Sequence, residues 1–168
     1  GGIRVPLFVS WPGRIAAGRQ VNAPVAHIDL MPTFAAAARA SPPAGVEIDG
    51  VDLLPFVTGH SPPNARPHQN LFWQSGYYRV VRSGDWKLQV SERPARTWLF
   101  NLADDPTEQH DLSEEHPARV AELRALIDQH FANARSPLYP HTIEGPVSVD
   151  HSLARRAPEG AEYIFWPN

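Results

Sequence analysis

Eighteen prolines among 168 residues constrain this chain more than any other feature. Proline offers no backbone N–H and fixes φ, so it is excluded from helix interiors and from central strands. Here it occurs at about twice the average usage of about 5%. The prolines gather at Pro42-Pro43, at Pro62-Pro63-Asn64 and through the final third. Much of the backbone is therefore expected to be irregular, and loops in that quantity usually need a neighbouring surface to drape over.

Charge and composition exclude several classes. Fifteen Lys plus Arg against eighteen Asp plus Glu leave a net charge of −3, and the arginines are scattered, so no basic field for nucleic acid exists. No apolar run approaches the ~18 residues of a membrane-spanning helix. Cysteine is absent, which removes disulfides, thiolate metal sites and any cysteine nucleophile. None of this assigns a compartment.

Between the prolines, periodicity locates the elements. Ile3–Ser10 is a nearly continuous apolar run closed by Trp11-Pro12-Gly13, which predicts a strand buried on both faces of a largely parallel sheet. Ile28, Met31, Phe34, Ala35 and Ala38 recur at helical spacing and predict a helix over 27–39, with Pro32 in its first turn and Asp29 near its N-terminus. Asp49-Gly50 and the apolar residues to Val57 predict a turn and a short helix stopping at Gly59. Residues 60–69 have linker composition.

Beyond the linker the period becomes two. Residues 71–73, 77–82, 86–91 and 98–101 read as strands, the second and third joined by a tight turn at Ser83-Gly84-Asp85. Val120, Leu123, Leu126, Ile127, His130 and Phe131 form one helical stripe over about 117–134, suited to packing on one face of that sheet. After Ser136 only short apolar clusters remain, of which Tyr163-Ile164-Phe165-Trp166 is a candidate terminal strand.

Candidate chemistry is sparse. His27-x-Asp29 and Asp150-His151 contain metal-ligand residue types without a third and fourth ligand at diagnostic spacing. The simpler reading is a partly buried imidazole at a helix start with Asp29 capping, and a solvated loop at Asp150-His151. The acidic group Asp104, Asp105, Glu108, Asp111, Glu114 and Glu115 lacks the spacing of a calcium loop and reads instead as charge near the start of the following helix. The rings of Phe72, Trp73, Tyr77, Tyr78, Trp86 and Trp98 read as core, with Trp73 and Tyr77 the more exposed.

Four segments stand in order: Gly1-Gly2-Ile3-Arg4-Val5-Pro6 leading to Trp11-Pro12-Gly13, His27 to Thr33, Arg82 to Leu88, and Leu99 to Leu112. Together they resemble the C-terminal part of sulfatase-family hydrolases of the alkaline-phosphatase superfamily. The resemblance implies an α/β with α+β architecture. Residues 1–60 would be the end of the large α/β domain and 61–69 a linker. Residues 70–135 would be a small antiparallel sheet packed on a C-terminal helix, and 136–168 an irregular tail.

The resemblance further implies a parent enzyme that uses a divalent cation, usually calcium, and a formylglycine made from the Cys or Ser of a Cys/Ser-x-Pro-x-Arg motif. In the family that motif stands near the enzyme's N-terminus, ahead of the segments matched here, and Ser61-Pro62-Pro63-Asn64-Ala65 lacks its arginine. The resemblance thus implies that no catalytic residue or metal ligand carries over, and the fragment is expected to be inactive alone. Its implied partner is the upstream catalytic part of the same enzyme, acting on a sulfated small molecule or glycan. Arg4 would position an anionic substrate or a catalytic loop, or form a structural salt bridge to an upstream carboxylate. His68, Trp73 and Tyr77 are candidate substrate-mouth residues. Unpaired edges along residues 3–9 would favour self-association. The competing readings are a noncatalytic binding or interaction module using the aromatic sheet, and a fragment of a related phosphodiesterase or phosphonate-ester hydrolase.

Overall fold

The computed structural model describes residues 3–41, 44–132, 134–135, 138–139, 144–149, 151 and 154–167. The chain divides into two compact units, Gly1–Gln69 and Asn70–Asn168.

In the first unit, a 3₁₀ turn at His27–Asp29 runs into helix α1 (Leu30–Ala37). Pro32 falls in the first turn of α1, where its missing N–H has no intrahelical role. A short helix α2 (Leu54–Thr58) ends at Gly59, whose φ of 86° is left-handed and lets the His60 and Ser61 amides bond back to the Pro55 carbonyl. Two expectations fail in this unit, the strand over 3–10 and the partly buried His27. Residues 4–10 form no strand: a strand exists only through its ladder, and the run belongs to neither of the two described sheets. Its side chains are exposed, Phe8 to 89%. Met31 and Phe34 of the α1 stripe are likewise exposed, and so is His27.

The second unit is built on one antiparallel sheet in the order β1 (Asn70–Ser75), β2 (Tyr78–Ser83), β3 (Trp86–Glu92), β4 (Ala95–Asn101). The β2–β3 turn is Gly84-Asp85, as its composition predicts, with Gly84 at φ 60°. The register aligns Phe72, Val81, Leu88 and Leu99 across the four strands, so these residues share a face. Helix α3 (Pro117–Phe131) buries Leu123 and Ile127 against that face, with Val120, Leu126 and Phe131 around them. His130 stacks flat on Phe72 with ring centres 3.9 Å apart. The predicted helical stripe is this seam.

The opposite face carries Lys87, Gln89, Trp98 and Phe100 in the same register. Trp98 and Phe100 are buried there by Ile164, which belongs to a second, two-stranded sheet of β5 (Glu144–Ser148) and β6 (Tyr163–Pro167). The tail is thus not irregular throughout. The terminal strand was legible in its aromatic residues, whereas β5, with Gly145 and Pro146 in a five-residue strand, carries no such signal. Asp150 lies outside the described residues.

Candidate functional site

The first unit is organised around Asp29, which is fully buried. Its Oδ2 accepts the Ala26 amide at 2.8 Å, and its Oδ1 accepts the Val51 amide at 2.9 Å and faces His68 Nε2 at 2.7 Å. The first bond is the backward half of a capping box; the other two fasten distant segments to the helix start. Thr33 extends the network, donating to the Asp29 carbonyl at 2.6 Å and accepting the Leu53 amide at 2.9 Å. Gly50 makes the close approach possible, because a Cβ there would lie 2.1 Å from the Ile28 carbonyl oxygen. His68 is therefore engaged in holding the fold of this unit. Arg4 is exposed on the 3–10 run.

In the second unit, Trp73 sits on β1, partly buried, in register with Val80, Gln89 and Trp98. Tyr77 lies in the β1–β2 turn and donates its hydroxyl to Glu144 Oε1 at 3.0 Å. The other oxygen of Glu144 takes Arg93 Nη1 at 2.9 Å, and the Arg93 guanidinium lies over both Tyr77 and Phe165, 5.3 and 4.9 Å from the ring centres. Arg93 and Glu144 escaped the sequence reading because they stand 51 residues apart and belong to no motif.

A third cluster was also missed. Lys87 Nζ and Gln89 Nε2 both donate to Glu108 Oε2, at 2.6 and 2.8 Å. On an alternating strand whose Trp86 and Leu88 face the helix, Lys87 reads as solvated; it is instead 3% exposed. Burial raises the Glu108 carboxyl, the hydrogen bond and charge of Lys87 oppose it, and the net shift is below the ordinary carboxylate value. Asp105 is lowered too, first by the His110 amide, with burial opposing and the Gln109 amide assisting.

These contacts correct the reading of the acidic segment. The first turn of α3 holds no acidic residue. Asp105 accepts the Gln109 and His110 amides, and Asp111 Oδ1 accepts those of Leu99 and Ser113. The carboxylates order a loop rather than a helix dipole, because short acidic side chains meet nearby free amides more closely than the helix end.

The chain matches the family model for the C-terminal region of N-sulphoglucosamine sulphohydrolase over residues 1–136. It belongs to the sulfatase family. As a sulfatase C-terminal domain it is 30% identical to rat (Rattus norvegicus) steryl-sulfatase over 161 residues, covering 76% of this chain and 27% of the relative. With human (Homo sapiens) arylsulfatase G it shares 30% identity over 148 residues, covering 76% and 28%. The solved structure of Ps i-CgsB in complex with k-i-k-neocarrahexaose superposes with a TM-score of 0.64 at 27% identity, covering 77% of this chain and 29% of that one. The chain thus spans between a quarter and a third of these sulfatases' length, and their alkaline-phosphatase-like fold is the frame to which it corresponds.

Sulfatases generally employ a divalent cation and formylglycine. Among the described residues no three His, Cys, Asp or Glu side chains stand together as a metal site, and Asp29, Asp105, Glu108 and Asp111 are engaged by protein donors. The sequence holds no cysteine, and its one Ser-x-Pro-x-Arg, Ser10-Trp11-Pro12-Gly13-Arg14, lies on the exposed run after residue 3 with no metal cluster among the described residues to serve it. The described residues do not fit a bound cation, and no chemical step runs through either group.

Proposed function

We propose that this chain is the C-terminal part of a metal-dependent sulfuric-ester hydrolase and does not turn over ester by itself. The observation that carries the reading is the match of residues 1–136 to a family model of a C-terminal region, joined to a chain that covers only 27% of the steryl-sulfatase it resembles. The cation, calcium by family habit, and the formylglycine would be supplied by the preceding catalytic part of the enzyme. Relatives named as steryl-sulfatase and arylsulfatase, and a neighbour solved with a neocarrahexaose, support a sulfated small molecule or glycan as substrate.

Within this reading the chain contributes structure and rim. Asp29 and His68 hold the first unit, leaving His68 a structural role more readily than substrate contact. Tyr77 and Trp73 remain rim candidates on the sheet, and Arg4, exposed on the 3–10 run, is the candidate for a contact with substrate or with an upstream carboxylate. The test is turnover by the natural gene product, with its intact mass measured in parallel, on aryl sulfate, sulfated saccharide, phosphodiester and phosphonate monoester. Sulfate-ester turnover by a longer polypeptide supports the proposal. Preference for phosphonate or phosphodiester overturns the ester class, and a lone 18.6 kDa species without turnover moves the function to binding.

A further inference from the structure

Glu144 has both carboxylate oxygens held by the sheet, through Tyr77 Oη at 3.0 Å and Arg93 Nη1 at 2.9 Å. A second tail carboxylate repeats the arrangement, with Glu162 Oε1 2.6 Å from Arg96 Nε. Beside them Ile164 covers Trp98 and Phe100, and the Phe165 amide donates to the Arg93 carbonyl at 2.9 Å. Each arginine also rests on a ring of the sheet: Arg93 over Tyr77 at 5.3 Å and Arg96 over Trp98 at 6.0 Å.

The sheet therefore presents two guanidinium groups and a phenol beside aromatic rings, and the tail brings two carboxylates and an apolar side chain to meet them. Guanidinium and hydroxyl donors on both oxygens of an anion are the usual means of holding an oxyanion, and aromatic faces are suited to the apolar face of a sugar ring. The tail's ion pairs are open to solvent, Arg93 and Arg96 being 50% and 56% exposed, so each is weak and reversible. Both carboxylates also lie beyond residue 136, where the family match stops.

We propose that Tyr77, Arg93, Arg96 and Trp98 form a binding site for a sulfated saccharide, and that β5–β6 is an internal competitor whose Glu144 occupies the place of a sulfate group. The choice of a sulfated ligand rests on the sulfuric-ester reading; the displaceable tail does not. A ligand binds by lifting the tail, which frees both arginines from their carboxylates at once.

The experiment titrates the full chain by calorimetry with a disaccharide carrying two sulfate esters and with its unsulfated form, and reads hydrogen exchange of the same proteins. Glu144→Gln with Glu162→Gln should bind the sulfated disaccharide at least tenfold more tightly than the parent, the gain should vanish on adding Arg93→Ala, and the unsulfated form should not bind. Amides 163–166 should exchange at least tenfold faster in the double variant while those of Val81, Leu88 and Leu123 keep their rates. Unchanged affinity, a gain that survives Arg93→Ala, or tail exchange that accelerates only together with Leu88 overturns the proposal. No turnover is read, so loss of the hydrolase reading would show in the ester assays and not here.

Discussion

Lys87 Nζ lies 2.6 Å from Glu108 Oε2, with 4% and 9% of the two side chains exposed. A buried pair of this kind is costly to split, because the remaining charge loses its partner without regaining water. Lys87→Met should therefore lower unfolding free energy by about 3 kcal/mol, the low end of the usual range, since Glu108 sits on a loop that can turn outward. Urea denaturation with an unchanged m-value checks this. A loss below ~1 kcal/mol would mean that the pair is already solvated.

The same carboxylate sets an acid limit. Glu108 is held below its ordinary value of 4.5 in the folded chain, so the pair's stabilisation is complete above that value and is lost as pH falls through it toward the lower folded value. Asp105, also lowered, acts with the same sign. Glu108→Gln and Asp105→Asn should each flatten the decline of stability below about pH 4.5, measured as the midpoint of thermal unfolding against pH. An unaltered acid limb in both variants contradicts the assignment.

How far the sequence disclosed this architecture depended on where the information lay. Period-two runs joined by Gly84 and one helical stripe fix the four-strand sheet and α3, because local pattern and burial agree there. Ile3–Ser10 misled because its apolarity specifies burial without saying what buries it. Lys87, Arg93 and Glu144 were illegible because each derives its role from a partner 21 or 51 residues away. Asp29 was placed correctly at a helix start, but its bonds to Val51 and His68 span 22 and 39 residues, beyond any local rule.

Asp29→Ala removes the acceptor for two backbone amides and the partner of His68. Leaving buried donors unmade costs about 1–3 kcal/mol each, so the variant should lose roughly 3 kcal/mol or more, whereas His68→Ala, which keeps both amide bonds, should lose only about 1–2 kcal/mol. Equal losses would show that the imidazole, not the amides, dominates. Denaturant midpoints of the two variants and their double mutant decide it.

Gly50→Ala places a Cβ against the Ile28 carbonyl at 2.1 Å, and the backbone must move to admit it. A cost of roughly 1–3 kcal/mol is expected. Gly145→Ala, where no heavy atom lies within 4 Å, should stay within ~0.5 kcal/mol. A neutral Gly50→Ala in thermal unfolding would contradict the close approach.

Val5 and Phe8 stand 76% and 89% exposed on an apolar run outside both described sheets, a combination that invites pairing with another chain. The chain alone should associate as concentration rises in sedimentation velocity, and Val5→Ser with Phe8→Ser should suppress it. A clean monomer across the range would show that this run is tolerated in water.

The most direct test compares sulfate-ester turnover by this chain alone with turnover by the natural gene product, using one aryl sulfate and equal molar amounts under one set of conditions. A C-terminal sulfatase part predicts turnover confined to the longer polypeptide and none above buffer from residues 1–168. Turnover by the 168-residue chain itself would contradict the central claim, because the chemistry would then reside in residues to which no catalytic role is assigned here.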